Sequence, residues 1–253
     1  MFYLIGVGLR PGHLTLEAKE AISGCSKVFL ESYTSQYSQG SVPDLVGVVG
    51  KEIKELDRNG VEEGFGAILR EAKSSGENVA LLVFGNALSA TTHVQLLLDA
   101  KKIGLESKVV PGISIYSYLG ATGLDQYRFG RTCTIVFPKE NYSPESFYDA
   151  IEVNHSAGLH TLCLLDIDRE NGKMMAVSEA LEIISRIEKK RGKAILENVV
   201  LVGLYGLGSD GQVAKAASLN VLKRSSFGLF PQSLVICSSL TEKEKEALGV
   251  LNA

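Results

Sequence analysis

Apolar residues along this chain fall into short runs, each followed by a glycine-bearing turn and then a stretch with helical spacing. Phe2-Tyr3-Leu4-Ile5 leads into Gly6-Val7-Gly8-Leu9-Arg10-Pro11-Gly12, after which Leu14, Ala18, Ala21 and Ile22 keep one helix face. Lys27-Val28-Phe29-Leu30 predicts a second strand, and the Ser-, Tyr- and Gln-rich segment 31–41 predicts a long loop. Residues 78–84 form an apolar run of strand length that stops at Gly85. Ala90, Val94, Leu97 and Leu98 then predict a helix face, with Gly104 as its C-terminal cap. Lys108-Val109-Val110 opens another strand, broken by Pro111-Gly112. Strands alternating with helices predict a mostly parallel sheet, and near-continuous apolar strands predict a sheet covered on both faces.

The polar stretch 120–129 interrupts this rhythm and predicts a boundary, giving an N-terminal α/β domain at 1–122 and a C-terminal α/β domain at 123–253. Strands are expected at 132–137, 159–167, 198–204 and 233–238. A helix is expected over 174–191, with Ala176, Ala180, Ile183, Ile184 and Ile187 as its buried stripe. Lys189, Lys190 and Arg191 would complement the negative end of its dipole. The expected fold class is therefore α/β, mostly parallel with helices on both faces in the first half and mixed in the second.

Composition narrows the function classes. The 253 residues are 45% hydrophobic and 22% charged, as in ordinary globular chains, and the net charge of −3 predicts no broad nucleic-acid footprint. No stretch reaches the length of a membrane span, and Met1 to Ile5 makes no signal peptide. The expectation is a soluble, cytoplasmic protein without membrane or direct nucleic-acid partners. Cys25, Cys133, Cys163 and Cys237 show no C-x-x-C spacing, and the four histidines are scattered, so no metal site is expected.

Three turns, at 6–12, 85–89 and 111–114, lie where parallel strands end, which is where α/β sheets bind ligands. The first lacks the G-x-G-x-x-G spacing, because the glycine after Gly8 is Gly12, and no lysine-bearing phosphate loop exists. An adenosine-containing ligand without phosphates suits these turns better. No G-x-S-x-G elbow is present, His93 and His160 lack triad context, and Asp166 and Asp168 fit acid–base work or a solvated turn. The residues alone thus lead to a two-domain α/β protein with a ligand cleft.

Longer stretches add a family. Tyr3 to Leu9, Glu31-Ser32-Tyr33-Thr34-Ser35, Ala90-Thr91-Thr92-His93, Ser114-Ile115, Pro144 to Asp149 and the block from Gly158-Leu159-His160-Thr161 to Ile167 resemble the diphthine synthases of the tetrapyrrole methylase superfamily. The resemblance runs nearly end to end. It implies a two-domain homodimer binding S-adenosyl-L-methionine between the domains and releasing S-adenosyl-L-homocysteine. It implies translation elongation factor 2 as substrate, methylated on a histidine carrying a 3-amino-3-carboxypropyl group, to diphthine or diphthine methyl ester in diphthamide biosynthesis. By the same resemblance, the cofactor contacts fall on Leu9, Asn86, Ser89, Ser114 and Ile115 in the first half and on Leu165, Leu207 and Gln232 in the second.

The chain departs from the family pattern at three places. Gly-Asp-Pro reads Gly85-Asn86-Ala87, Ala-Arg reads Tyr205-Gly206, and a histidine aligns with Gln232. Loss of the aspartate charge would cost about 1–2 kcal/mol of cofactor binding if that charge bonds a donor on the cofactor. Other readings are a different methyltransferase of the superfamily, or a non-catalytic relative that binds the elongation factor. The amine of the target has a pKa near roughly 8, so no general base is required, and none is nominated. Tyr33 and Tyr37 in the 31–41 loop are candidates for the wall of the target's entrance.

Overall fold

The computed structural model describes residues 1–140, 142–169 and 171–250, and the chain folds as two compact units, Met1–Ser117 and Tyr118–Ala253. The first unit carries β1 (Phe2–Gly6), α1 (Leu16–Ser23), β2 (Lys27–Glu31), α2 (Val42–Val49), β3 (Lys54–Leu56), α3 (Phe65–Ser75), β4 (Val79–Val83), α4 (Val94–Lys102) and β5 (Ser107–Val110). A short helix, α5 (Ile115–Tyr118), carries the chain across the boundary between the units. Its sheet has the order β3-β2-β4-β1-β5, and every pairing is parallel.

The apolar runs read without alternation because each sheet face meets its own helices. Val79, Leu81 and Val83 pack with Phe65, Leu69 and Ala72 of α3 and with Leu96 and Ala100 of α4. Their neighbours Ala80, Leu82 and Phe84 pack with Ala18 and Ile22 of α1 and with Leu45 and Val49 of α2. Each fully buried aliphatic or aromatic side chain contributes roughly 1.5–3 kcal/mol.

The helix after β4 differs from expectation. It begins at Val94, and its buried residues are Leu96 and Ala100, whereas Val94 and Leu98 face outward. Of the expected face only Leu97 packs against the core, and Ala90 belongs to a tight turn ahead of the helix. Gly104 does follow the helix in the left-handed conformation.

The second unit carries β6 (Cys133–Ile135), α6 (Ser146–Ser156), β7 (Thr161–Leu165), a hairpin of β8 (Ile167–Asp168) with β9 (Lys173–Met174), α7 (Val177–Arg191), β10 (Leu201–Tyr205), β11 (Val213–Ala217), α8 (Leu219–Leu222), β12 (Gln232–Ile236) and α9 (Glu242–Val250). Its main sheet runs β11-β10-β12-β7-β6, parallel only between β6 and β7. Tyr148, Ile151, Leu181, Ile184, Leu201, Leu234 and Ile236 form the heart of its core. The helix expected from 174 starts at Val177, because Lys173 and Met174 pair with Asp168 and Ile167. Its basic C-terminus does more than meet the dipole. Lys190 bonds Glu145, and Arg191 bonds Glu145, Asp149 and Glu152, tying α7 to α6.

Candidate functional site

The three glycine turns of the first unit meet one another. Their strands are neighbours in the order β4-β1-β5, and all three end at the same sheet edge. A Cβ on Gly6 would lie 2.6 Å from the Gly85 carbonyl oxygen and 2.7 Å from the Gly112 nitrogen. One on Gly112 would lie 2.2 Å from the Gly85 oxygen. Main chain therefore packs on main chain, which only glycine permits. Gly8 and Gly85 close the arrangement with reciprocal bonds of 3.1 and 2.8 Å. Around this floor stand Leu9, Asn86, Ser89, Ser114 and Ile115, with Ser114 nearly buried and the other four partly exposed.

The second turn is locked by its own side chains. The Asn86 Oδ1 accepts the Leu88 N–H at 3.0 Å, and the Ser89 N–H reaches the Asn86 carbonyl at 3.1 Å. Asn86 thus makes the same side-chain turn an aspartate would make, without the charge. The Ala87 carbonyl receives two bonds, from Thr91 Oγ1 at 2.8 Å and from His93 Nδ1 at 3.2 Å. Between them Ala90 sits at φ 58°, the left-handed conformation, and it is alone in this among non-glycine residues described. Such a conformation costs about 1–3 kcal/mol and persists only where neighbours enforce it. Here the two bonds to Ala87 do so. His93 is 3% exposed, so its structural duty is to hold the turn that carries Asn86 and Ser89.

The 31–41 loop is anchored to the first turn. Glu31 is fully buried and accepts the Tyr33 and Thr34 N–H groups at 2.7 and 2.6 Å. Ser38 bonds the Leu9 carbonyl through its N–H and its hydroxyl, both at 2.9 Å. Tyr37 is buried edge-on against Phe84, so it belongs to the core and not to an entrance wall. Tyr33 stays partly exposed, with the Arg58 guanidinium over its ring.

The second-unit candidates also gather at one sheet edge. Leu165 ends β7, Gln232 begins the antiparallel β12 beside it, and Leu207 follows β10, whose Tyr205 pairs with Gln232. All three are buried. The Gln232 Oε1 accepts the Val177 N–H at 2.8 Å, which caps α7, since Ala176 offers no side-chain acceptor there. Ser209 bonds the Gly206 carbonyl through both its N–H and its hydroxyl, fixing the turn around Leu207. Tyr205 is 1% exposed, lies over Gly203 and against Phe227, and its hydroxyl has no partner among the described residues. Burial pushes that phenol up to about 12.

His160, Asp166 and Asp168, also noted in the sequence, make structural bonds. His160 is fully buried; its Nδ1 accepts the Ser238 N–H at 3.1 Å, so its Nε2 carries the proton and donates to Glu244 at 3.0 Å. Glu244 also accepts the Thr241 N–H and hydroxyl, the Asp125 N–H and Arg128. Asp166 accepts the Phe137 N–H, and Asp168 binds Asn171 twice to shape the hairpin. Among the described residues no group of three metal-ligating side chains occurs. Ser38, not singled out from sequence, and Thr91, noted only as part of the Ala90-to-His93 stretch, act through backbone carbonyls, and no residue type or spacing announces that.

Comparison with known proteins gives the arrangement a family. Residues 1–204 match the profile of the tetrapyrrole (corrin/porphyrin) methylases. The chain is 35% identical to the diphthine synthase of Methanococcus aeolicus, covering 99% of this chain and 98% of that one. It is 38% identical to the diphthine methyl ester synthase of Saccharomyces cerevisiae, covering 93% of this chain and 84% of that one. A crystal structure of a diphthine synthase superposes with a TM-score of 0.89 at 28% identity, covering 100% of this chain and 96% of the other. A backbone-floored turn cluster at the ends of parallel strands, with neutral polar residues around it, is thus found in a chain that belongs to the tetrapyrrole methylases and, within them, to the diphthine synthase family of methyltransferases.

Proposed function

We propose that this protein methylates the 3-amino-3-carboxypropyl-histidine of translation elongation factor 2, with S-adenosyl-L-methionine as donor, in diphthamide biosynthesis. The observation that supports this most is the junction of Gly6, Gly85 and Gly112, because it brings Leu9, Asn86, Ser89, Ser114 and Ile115 to one edge of the first unit. That donor set fits the cofactor. It consists of exposed main chain, two hydroxyls and a carboxamide, with no lysine-bearing phosphate cradle, and the cofactor is an adenosine derivative without phosphate. Asn86 keeps its turn by accepting the Leu88 N–H, so the exchange of aspartate for asparagine leaves the local geometry standing. In the second unit the reading extends to Leu165, Leu207 and Gln232 as cofactor contacts.

When bound, the cofactor supplies an electrophilic methyl group on a cationic sulfur. The protein's part is position. Nucleophile and methyl must be held about 3 Å apart and in line, which can supply several kcal/mol of the barrier. The locked second turn suits that task, because Ala90, Thr91 and His93 leave Asn86 and Ser89 little freedom. The acceptor amine is partly neutral at pH 7, so no side chain is assigned as general base. The four cysteines are all free, in keeping with a reducing cytoplasmic setting, and no helix among the described residues is long and apolar enough to cross a membrane. Working as a homodimer is part of the same proposal and rests on the family resemblance.

The test is methyl transfer from isotope-labelled S-adenosylmethionine to elongation factor 2 carrying the unmethylated intermediate. Mass spectrometry of the target peptide then counts the methyl groups. Three would mean diphthine, and four the methyl ester. None, with the cofactor still bound in calorimetry, would overturn the catalytic reading in favour of a relative that only binds.

A further inference from the structure

Cys133 and Cys163 are register partners on the paired strands β6 and β7, and their sulfurs lie 3.6 Å apart. Both side chains point into the same core. Neighbouring strands stand about 4.7–4.9 Å apart, inside the Cα range of about 4.4–6.8 Å that disulfides occupy. The sulfurs need approach by only about 1.5 Å to reach bonding distance. Sequence spacing hides the pair, since thirty residues separate the two positions.

The two thiols are not equivalent. Cys163 is fully buried, whereas Cys133 is 9% exposed and sits on β6, a three-residue strand at the edge of its sheet. A reagent reaching Cys133 therefore displaces one short edge strand and leaves the rest of the sheet intact. The bond shared with Cys163 holds Cys133 below the usual thiol range; burial opposes this, and Arg131 adds to the lowering. Cys163 is held well above that range by the same bond and by burial. This polarity assigns Cys133 as the attacking sulfur and Cys163 as the resolving one.

We propose that Cys133 and Cys163 form a peroxide-reactive dithiol that closes into a disulfide across β6 and β7. The Cys133 thiolate attacks one oxygen of a hydroperoxide and breaks the O–O bond. It becomes a sulfenic acid as hydroxide or alkoxide leaves. The Cys163 sulfur then attacks the Cys133 sulfur, the S–O bond breaks, and water departs with the Cys163 proton. The proton first released from Cys133 neutralises the leaving oxygen. The two thiols have lost two electrons and two protons, and the peroxide has been reduced to water, or to water and an alcohol.

The experiment treats the full-length reduced protein with a small excess of hydrogen peroxide, blocks remaining thiols with iodoacetamide, and digests without reductant for mass spectrometry. Cys25 and Cys237 are internal controls, since burial holds their thiols up to about 11 and about 12. The expected product is one cross-linked peptide pair joining Cys133 to Cys163, two hydrogens lighter and reversed by dithiothreitol, with Cys25 and Cys237 alkylated. Amide exchange over 133–135 should slow at least about tenfold in the oxidised protein. In Cys163→Ser, peroxide should instead leave Cys133 as a trappable sulfenic acid. Four alkylated cysteines after treatment would overturn the proposal. So would a sulfinic acid on Cys133 of the parent protein, or oxidation of Cys25 or Cys237 at the same rate.

Discussion

Replacing Glu244 by glutamine tests whether the most family-specific stretch of the chain, around His160, carries structure or chemistry. Glu244 is 2% exposed and gathers bonds from Thr241, Asp125, His160 and Arg128. Burial by itself would raise its carboxyl. The Thr241 N–H, the His160 ring, the Asp125 N–H and the Thr241 hydroxyl outweigh burial and hold it at about 2 instead of the ordinary 4.5. At about 1.36 kcal/mol per pH unit, that difference corresponds to about 3 kcal/mol. A depressed carboxyl binds its proton less tightly in the folded state than in the unfolded one. Its contribution is therefore complete above pH 4.5 and disappears as the pH falls toward 2. Urea unfolding at pH 7, 5 and 3, followed on the second unit, measures it. Glu244→Gln should lower the pH 7 midpoint by roughly 1 M, and the parent should lose more than half of that advantage by pH 3. Equal midpoints at pH 7, or parallel losses in parent and variant, would refute the reasoning. The transfer rate per folded molecule should be unchanged in Glu244→Gln, and a folded but inactive variant would return His160 to the chemistry.

His93→Phe removes one of the two bonds to the Ala87 carbonyl. It should weaken cofactor binding about tenfold in calorimetry, with a smaller effect on the thermal midpoint. Gly112→Ala drives a methyl to 2.2 Å from the Gly85 oxygen and should destabilise the first unit by about 3 kcal/mol or more. Gly47→Ala, with nothing within 4 Å and a place inside α2, should instead stabilise it by about 0.5–1 kcal/mol, and chemical denaturation separates the two signs. Tyr205→Phe deletes a buried hydroxyl without a partner and should raise second-unit stability by about 1 kcal/mol in the same assay.

The legible parts of this chain are those written in local residue types. Runs such as Val79 to Phe84 announce a doubly covered strand, and Gly6, Gly85 and Gly112 announce turns that proved to be in mutual contact. What stayed hidden depends on partners distant in sequence or on phase. His160 lacks triad context in the sequence, and its actual duty shows only once Glu244, 84 positions later, supplies its acceptor. Tyr37 looked like a surface aromatic until Phe84 and the Val7 carbonyl claimed it. The buried residues of α4, Leu96 and Ala100, follow from the helix starting at Val94, and the positive φ of Ala90 ahead of it carries no residue signature. The family resemblance implies a cofactor contact at Gln232, yet its side-chain carbonyl oxygen caps α7, a duty visible only once β12 lies beside that helix.

The floor made by Gly6, Gly85 and Gly112 also bears on how this protein can change. A surface built of peptide groups offers mutation no side chain to exchange, and adding one at Gly6 or Gly112 forces neighbouring strands apart. On the cofactor site proposed above, change in ligand preference would therefore fall to the rim, at Asn86, Ser89 and Ser114, while the floor stays constant. An inhibitor resting on that floor would leave point mutation few routes to resistance, because the contacts it uses are the ones the first unit needs in order to fold.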